Sequence, residues 1–335
     1  MKSTTFEDLY HNGYCIRPAD MKDLREAVAM FNACSQATIG SHEFTLERYA
    51  REWQAPGFNL DEDTRIVLSP DSQIVGCIEV RTLTDPPVHP WVWARVHPNW
   101  EGNGVASAMM NWGKARAHEA AIHRVPEDVR IAMYSGTIKT HKPSNELLEG
   151  FGMQVVRQSY RMRIDFETQP ATPSWPQGIR VRTYKHSEDA EATYRAQEEA
   201  FQDHWGYVDV LFEKGFQQWQ HFNIDQEHFD PSLWFLATEN EEIVGLALCR
   251  LQADDNPDLG WVNVLGVRRP WRGRGLGLKL LHHAFNALHE RGKRGAALEV
   301  DTQSLTGATR LYEKAGMRVE RHYLTYELEL RPGRE

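Results

Sequence analysis

Val267-Arg268-Arg269-Pro270-Trp271-Arg272-Gly273-Arg274-Gly275-Leu276-Gly277 lies between an apolar stretch, Trp261 to Val267, and a helix-like stretch, Leu278 to Glu290. Glycines and arginines therefore fall where a strand hands over to a helix N-terminus. Backbone N–H groups in a first helical turn have no intrahelical partner and carry the positive end of the helix dipole. Glycines let an anion come close to them. The pattern predicts a cradle for a phosphate or pyrophosphate.

The spacing narrows the ligand. A triphosphate loop needs G-x-x-x-x-G-K-[ST], but Lys279 stands between Leu278 and Leu280. A dinucleotide fingerprint needs G-x-G-x-x-G, but the glycines here fall as G-x-G-x-G at Gly273, Gly275 and Gly277. Arg272, Gly275 and Gly277 instead satisfy R-x-x-G-x-G. Downstream, Leu311-Tyr312-Glu313-Lys314-Ala315-Gly316-Met317 follows a short apolar stretch, Ala296 to Val300. The first motif resembles the acetyl-CoA pyrophosphate loop of the GNAT family of N-acetyltransferases. The second resembles the end of that family's helix after its fifth strand.

The two halves of the chain repeat this plan. Val96 to Ala106, with Trp100, Gly102 and Gly104, aligns with Val267 to Gly277. Ile74-Val75-Gly76 matches Ile243-Val244-Gly245, and Leu147 to Met153 matches Leu311 to Met317. Three ordered matches imply a duplication, with a period too long for a solenoid. Residues 1–166 form one copy and 179–335 the other. The Pro-containing stretch 167–178 reads as a linker.

Strands are expected at Tyr14 to Pro18, Arg65 to Ser69, Ile74 to Thr82, Trp91 to Val96 and Arg130 to Tyr134, with Val155 to Phe166 completing the first sheet. In the second copy they are expected at Ile179 to Tyr184, Leu233 to Thr238, Ile243 to Arg250, Trp261 to Val267, Ala296 to Val300 and Val319 to Glu329. Helices are expected at Asp20 to Cys34, Val105 to His118 and Ser187 to Phe201. This order is α/β. The resemblance implies two tandem GNAT domains, each a mixed, mostly antiparallel central sheet flanked by helices. A tandem with its motifs intact in the second copy is also similar to mycothiol synthase. That likeness lies in architecture and loop and does not name the acceptor.

The resemblance implies an acyltransferase for groups other than aminoacyl groups. An acetyl group would pass from acetyl-CoA to the primary amine of a small molecule by direct attack on the thioester. The pyrophosphate would rest on the backbone of Arg272, Gly273, Arg274, Gly275, Leu276 and Gly277, with the Arg272 and Arg274 charges in support. Leu265, Gly266 and Val267 would meet the pantetheine arm and the thioester carbonyl, and a glycine at 266 would suit a bulge. Ser304 stands where the family often has a pantetheine-binding Asn. Tyr312 would protonate the leaving thiolate. Glu299 is the expected base, with Asp301, Asp203 and His204 as other candidates. Asp203, His204, Trp205, Tyr207 and Asp301 are expected to meet the acceptor. An aromatic stripe follows at Phe212, Phe216 and Trp219, with the spacing of a core-facing helix side. In the first copy Glu101 replaces Arg272 and Leu148 replaces Tyr312. Pro143 and Gly150 would also interrupt its last helix. That copy is therefore expected to keep the fold and lack the chemistry.

Bulk properties set limits. Lys plus Arg number 38 and Asp plus Glu 47, a net charge of −9, which speaks against a nucleic-acid partner. The four cysteines are scattered, and no metal-binding spacing occurs. No leader-like or membrane-spanning stretch is evident, so a cytoplasmic protein without a membrane partner is expected. Fusion of two copies would supply the pairing that single-copy relatives reach by dimerising, so a monomer is expected. A non-catalytic acyl-CoA-binding or sensor protein is the contrasting reading.

Overall fold

The computed structural model describes residues 4–82, 84–225, 229–304 and 307–334. The first half contains α1 (Phe6–His11), β1 (Cys15–Arg17), α2 (Leu24–Ile39), α3 (Leu46–Trp53), α4 (Leu60–Asp63), β2 (Thr64–Leu68) and β3 (Ile74–Arg81). It continues with β4 (Trp91–Val96), α5 (Val105–Ile122), β5 (Ile131–Ile138), α6 (Lys142–Gly150) and β6 (Gln154–Asp165). The second half contains β7 (Ile179–Thr183), α7 (His186–Phe201), α8 (Phe212–Asn223), β8 (Trp234–Glu239), β9 (Glu242–Arg250) and β10 (Leu259–Val267). It ends with α9 (Leu276–Glu290), β11 (Gly295–Asp301), α10 (Ala308–Lys314) and β12 (Arg318–Arg331). No helix among the described residues is long and apolar enough to cross a membrane.

Two compact units result. One comprises residues up to Arg157, together with Val208–Phe222 and the chain from Tyr323 onward. The other comprises Gln158–Tyr207 and Asn223–His322. In the first the strand order is β1-β2-β3-β4-β5-β12, and in the second it is β6-β11-β10-β9-β8-β7. Neighbours pair antiparallel except β4 with β5 and β10 with β11.

The last strands are exchanged. β6 was expected to complete the first sheet, but its Ser159–Asp165 stretch pairs with β11 from Asp301 to Gly295. The Tyr323–Arg331 part of β12 pairs with β5 instead. Inward–outward alternation sets a strand's faces and leaves its partner open, which is why the repeat did not reveal the exchange. Helix α8 is displaced in the same sense. Its residues to Phe222 belong to the first unit, where His221 Nε2 lies 2.8 Å from the Arg51 carbonyl. The aromatic stripe of Phe212, Phe216 and Trp219 thus sits in that unit, its rings stacked in succession at 5.4 and 5.9 Å.

Each sheet buries a helix beside its loop. In the second unit Leu276, Leu280, Leu281, Ala284, Phe285 and Leu288 of α9 pack on Ala247, Cys249, Val262, Ala296 and Leu298. Each large side chain buried in this way contributes roughly 1.5–3 kcal/mol. In the first unit α5 sets Val105, Met109 and Met110 against Ile78, Val92 and Met133. Pro143 does not interrupt α6, because it lies in the first turn, where its missing N–H is no loss.

Because each sheet includes a strand from the other half, fragments 1–166 and 179–335 each lack a strand their sheet needs. Expressed separately, they are predicted to aggregate or to lack a cooperative thermal transition, and co-expression should restore one. Circular dichroism melts check this; either fragment alone melting at the midpoint of the intact chain would refute it.

Candidate active site

β10 and β11 run parallel and pair at Leu259 with Gly295, Gly260 with Ala296 and Trp261 with Ala297, where the pairing ends. Both strands continue, to Val267 and Asp301. They therefore diverge into a wedge. On its other side β10 stays paired with β9 as far as Val267 with Gly245, and Arg268 N–H donates to the Val244 carbonyl at 3.0 Å. Antiparallel pairing alternates direction residue by residue, so the N–H groups of Leu265 and Val267 turn away from β9 into the wedge. The strand irregularity lies between Val262 and Val264, not at Gly266. Gly266 is required for closeness instead: a Cβ there would lie 3.1 Å from both Ala200 and the Phe201 ring at the end of α7.

The Arg-Gly loop sits at the wedge mouth. Gly273 and Gly275 have φ of 76° and 75°, and Gly275 caps α9. Residues with a Cβ avoid this left-handed region at a cost of roughly 1–2 kcal/mol. The approach to Gly275 is open, since the nearest atom to a Cβ there would be Lys279 Cε at 3.8 Å. Gly277 is needed for packing, because a Cβ would lie 3.0 Å from Leu311.

The loop arginines are not free charges. Arg272 donates from Nη1 to Asp203 Oδ2 at 2.6 Å, from Nη2 to the Ala200 carbonyl at 2.9 Å and from Nε to the Val267 carbonyl at 3.1 Å. Arg269 also pairs with Asp203. Arg268 donates to Glu199 at 2.6 Å, and Arg274 to Glu239 at 3.0 Å. Glu239 further accepts from Trp271 Nε1 at 2.7 Å. Arg272 is thus a strut tying the loop to the end of α7.

Tyr312 projects from α10 into the core that α9 covers and is 7 % exposed. Its hydroxyl makes no hydrogen bond among the described residues. Burial pushes its pKa up to about 12, so it is a neutral donor at physiological pH.

The opposite face of the sheet gathers most of the remaining expected residues, and their situations differ. Asp203 faces the loop, with its carboxylate held by Arg272 and Arg269. Glu299 is exposed and accepts from Ser159 Oγ at 2.6 Å. Asp301 accepts from Gln303 N–H at 2.9 Å, capping the turn that contains Ser304, whose own N–H donates to the Asp301 carbonyl at 3.2 Å. Trp205 is 39 % exposed, and the Tyr207 hydroxyl donates to Glu198 at 3.4 Å. His204 stands against the Phe201 ring at 4.5 Å. Burial lowers its pKa, Asp301 raises it and Arg272 lowers it further.

The first copy repeats the backbone and loses the groups. β4 pairs with β5 only at Trp91 with Tyr134, so it also diverges. Gly102 and Gly104 have φ of 80° and 82°. Yet Glu101 occupies the position of Arg272 and lies 3.6 Å from His141 Nε2. Leu148 is a buried core residue in place of Tyr312. Thr4 closes the approach to Gly104, where a Cβ would lie 2.9 Å from Thr4 Oγ1.

Sequence comparison likewise finds two copies. The Acetyltransferase (GNAT) family model matches residues 27–135 and 190–317. This chain belongs to the GNAT acetyltransferase family. A mycothiol acetyltransferase of Thermobispora bispora is 31 % identical over 242 residues, 70 % of this chain and 73 % of that protein. A GCN5-related N-acetyltransferase of Sphaerobacter thermophilus has a TM-score of 0.78 at 31 % identity, covering 96 % of this chain and 97 % of that one. A tandem GNAT protein from the clavulanic acid biosynthesis pathway shares the fold, with a TM-score of 0.70 at 13 % identity over 96 % and 99 % of the two chains.

The strut makes a signed prediction. Asp203→Asn should weaken acetyl-CoA binding about tenfold by loosening Arg272 and Arg269, although it removes a negative charge near an anion site. Calorimetry decides, because a purely electrostatic Asp203 would give tighter binding.

Proposed function

We propose that the chain is an acetyl-CoA-dependent N-acetyltransferase that acetylates the primary amine of a small molecule in its C-terminal copy. The carrying observation is Tyr312. A nearly buried phenol with an unengaged hydroxyl belongs to the copy that has the open cradle, and the other copy has a leucine there. The fit to acetyl-CoA is supported by the open approach to Gly275 and by the wedge, whose N–H groups at Leu265 and Val267 can hold an extended arm and its carbonyl.

Acetyl-CoA would supply an activated acyl carbon and a thiolate leaving group. The chain's own tasks follow. The loop backbone holds the pyrophosphate. Leu265 and Val267 orient the carbonyl, and such positioning can remove a large part of a bimolecular barrier. Tyr312 donates to the sulfur as the C–S bond breaks. A phenol near 12 is a weak acid beside an ordinary thiol, but the thiolate forms in the same desolvated place, which raises its own proton affinity. The gap between the two is therefore narrowed in the site.

The acceptor class is supported by the relatives' names, since mycothiol acetyltransferases act on a small molecule. The pairing of Glu101 with His141, and Thr4 over Gly104, favour a first copy that does not hold the co-substrate.

Three measurements test the reading. Formation of the N-acetylated product from acetyl-CoA is followed by mass spectrometry, above the enzyme-free rate, with glucosamine, cysteamine, L-cysteine methyl ester and spermidine. Turnover with one or more supports an enzyme, and binding without turnover supports the acyl-CoA sensor reading. Tyr312→Phe should lower kcat on the order of 10- to 100-fold with little change in acetyl-CoA affinity; an unchanged kcat removes Tyr312 as the donor. Calorimetric titration should give one acetyl-CoA per chain, and two would restore the first copy as a binding site.

A further inference from the structure

The N-acetyltransferase reading leaves open which group takes the proton of the attacking amine, and the geometry separates the candidates. Asp203 is committed to Arg272 and Arg269. Glu299 lies in solvent and accepts from Ser159. Asp301 caps its own turn through Gln303. His204 differs from all three. Among the described residues no hydrogen bond is made to its imidazole, and its ring contact is with Phe201 at 4.5 Å.

Its position is also fixed. Phe201 packs on the strand that lines the wedge, where a Cβ at Gly266 would lie 3.1 Å from the Phe201 ring. Arg272 grips the Ala200 carbonyl and the Asp203 carboxylate on either side of Phe201. The strut that shapes the pyrophosphate loop therefore also sets the turn from which His204 projects. The charged groups that act on His204 are Asp301, at the end of β11, and Arg272, in the loop.

We infer that His204 is the general base of the second copy, accepting the proton of the acceptor ammonium directly or through one water. This rests on the proposed N-acetyltransferase reading. In the step, the ammonium first loses one proton through His204 to solvent; the freed amine nitrogen then forms a bond to the acyl carbon, the C–S bond breaks, the nitrogen's second proton goes to the imidazole and the sulfur receives its proton from Tyr312. Return of the proton from His204 through solvent to Tyr312 resets both groups. Imidazole is in general a stronger base than a carboxylate by roughly two to three pK units. Burial disfavours the imidazolium, so the ring is neutral and ready to accept at neutral pH.

The test uses the full chain, acetyl-CoA and the four amines named above. With the unaltered chain, kcat/KM should hold level through neutral pH and fall only below the ordinary histidine range. His204→Gln should lower kcat/KM at pH 7 about 10²- to 10³-fold. Its profile should then climb about tenfold per pH unit toward the amine's own pKa, because only free amine reacts. Acetyl-CoA affinity by calorimetry should be retained and checks that the variant is folded. His204→Ala with added imidazole provides a second route, in which recovery of rate with imidazole concentration supports the base. A variant profile superimposable on the parent's, a change in KM alone, or no recovery with imidazole would overturn it. Turnover by the parent with an unchanged His204→Gln overturns the base alone, whereas no turnover by the parent with any of the amines overturns the enzyme reading with it.

Discussion

A strand that parts from its parallel neighbour leaves backbone amides without a ladder partner, and the second unit is organised around that divergence. β10 remains paired with β9 on one side while β11 leaves it after Trp261. Unmet N–H groups in an interior are costly unless something occupies them. Here they line a wedge that opens onto a helix N-terminus, so strand and helix present donors to the same opening. The adjoining features keep that opening in shape. Gly266 lets α7 come close, Gly277 lets α10 come close, and Arg272 spans from the loop to α7.

The loop and the duplication were legible in the sequence because both are written in local spacing. Glycines at fixed offsets demand a left-handed turn before a helix, and φ values near 75° at Gly273 and Gly275 meet that demand. Alternating apolar residues placed the strands. The exchange of β6 and β12 was not legible, since alternation records which face is buried and is silent on the neighbour. The pairing of Arg272 was not legible for a related reason. Arginine next to a phosphate loop suggests a phosphate contact, but its carboxylate partner lies 69 positions away at Asp203 and is brought there only by the fold. His204 could be ranked above Glu299 only once those pairings had removed its rivals.

The first copy shows which parts of the site the fold itself requires. Gly102 and Gly104 keep the turn, and β4 still leaves β5, because a strand must still hand over to α5 there. What has changed costs the fold little. Leu148 packs in the core as well as a tyrosine ring would, and Glu101 finds His141. Backbone geometry is thus maintained by folding in both copies, whereas Tyr312 and Arg272 are present in the second copy alone.

Burial drives the acid and the base of the proposed reaction in opposite directions by one physical effect. Removing a group from water disfavours its charged form, whichever form that is. For Tyr312 the charged form is the phenolate, so its proton is held more tightly. For His204 the charged form is the imidazolium, so its proton is held less tightly. At neutral pH the tyrosine therefore keeps a proton to give and the histidine has room for one. Neither needs a dedicated counter-ion, which would otherwise stabilise the wrong protonation state. Groups whose environments push their proton affinities apart in this way are suited to divide acid and base work. The carboxylates nearby are engaged elsewhere, Asp203 in holding the loop and Asp301 in holding a turn. In the proposed reaction the charged residues build the frame, and the neutral ones are left to move the proton.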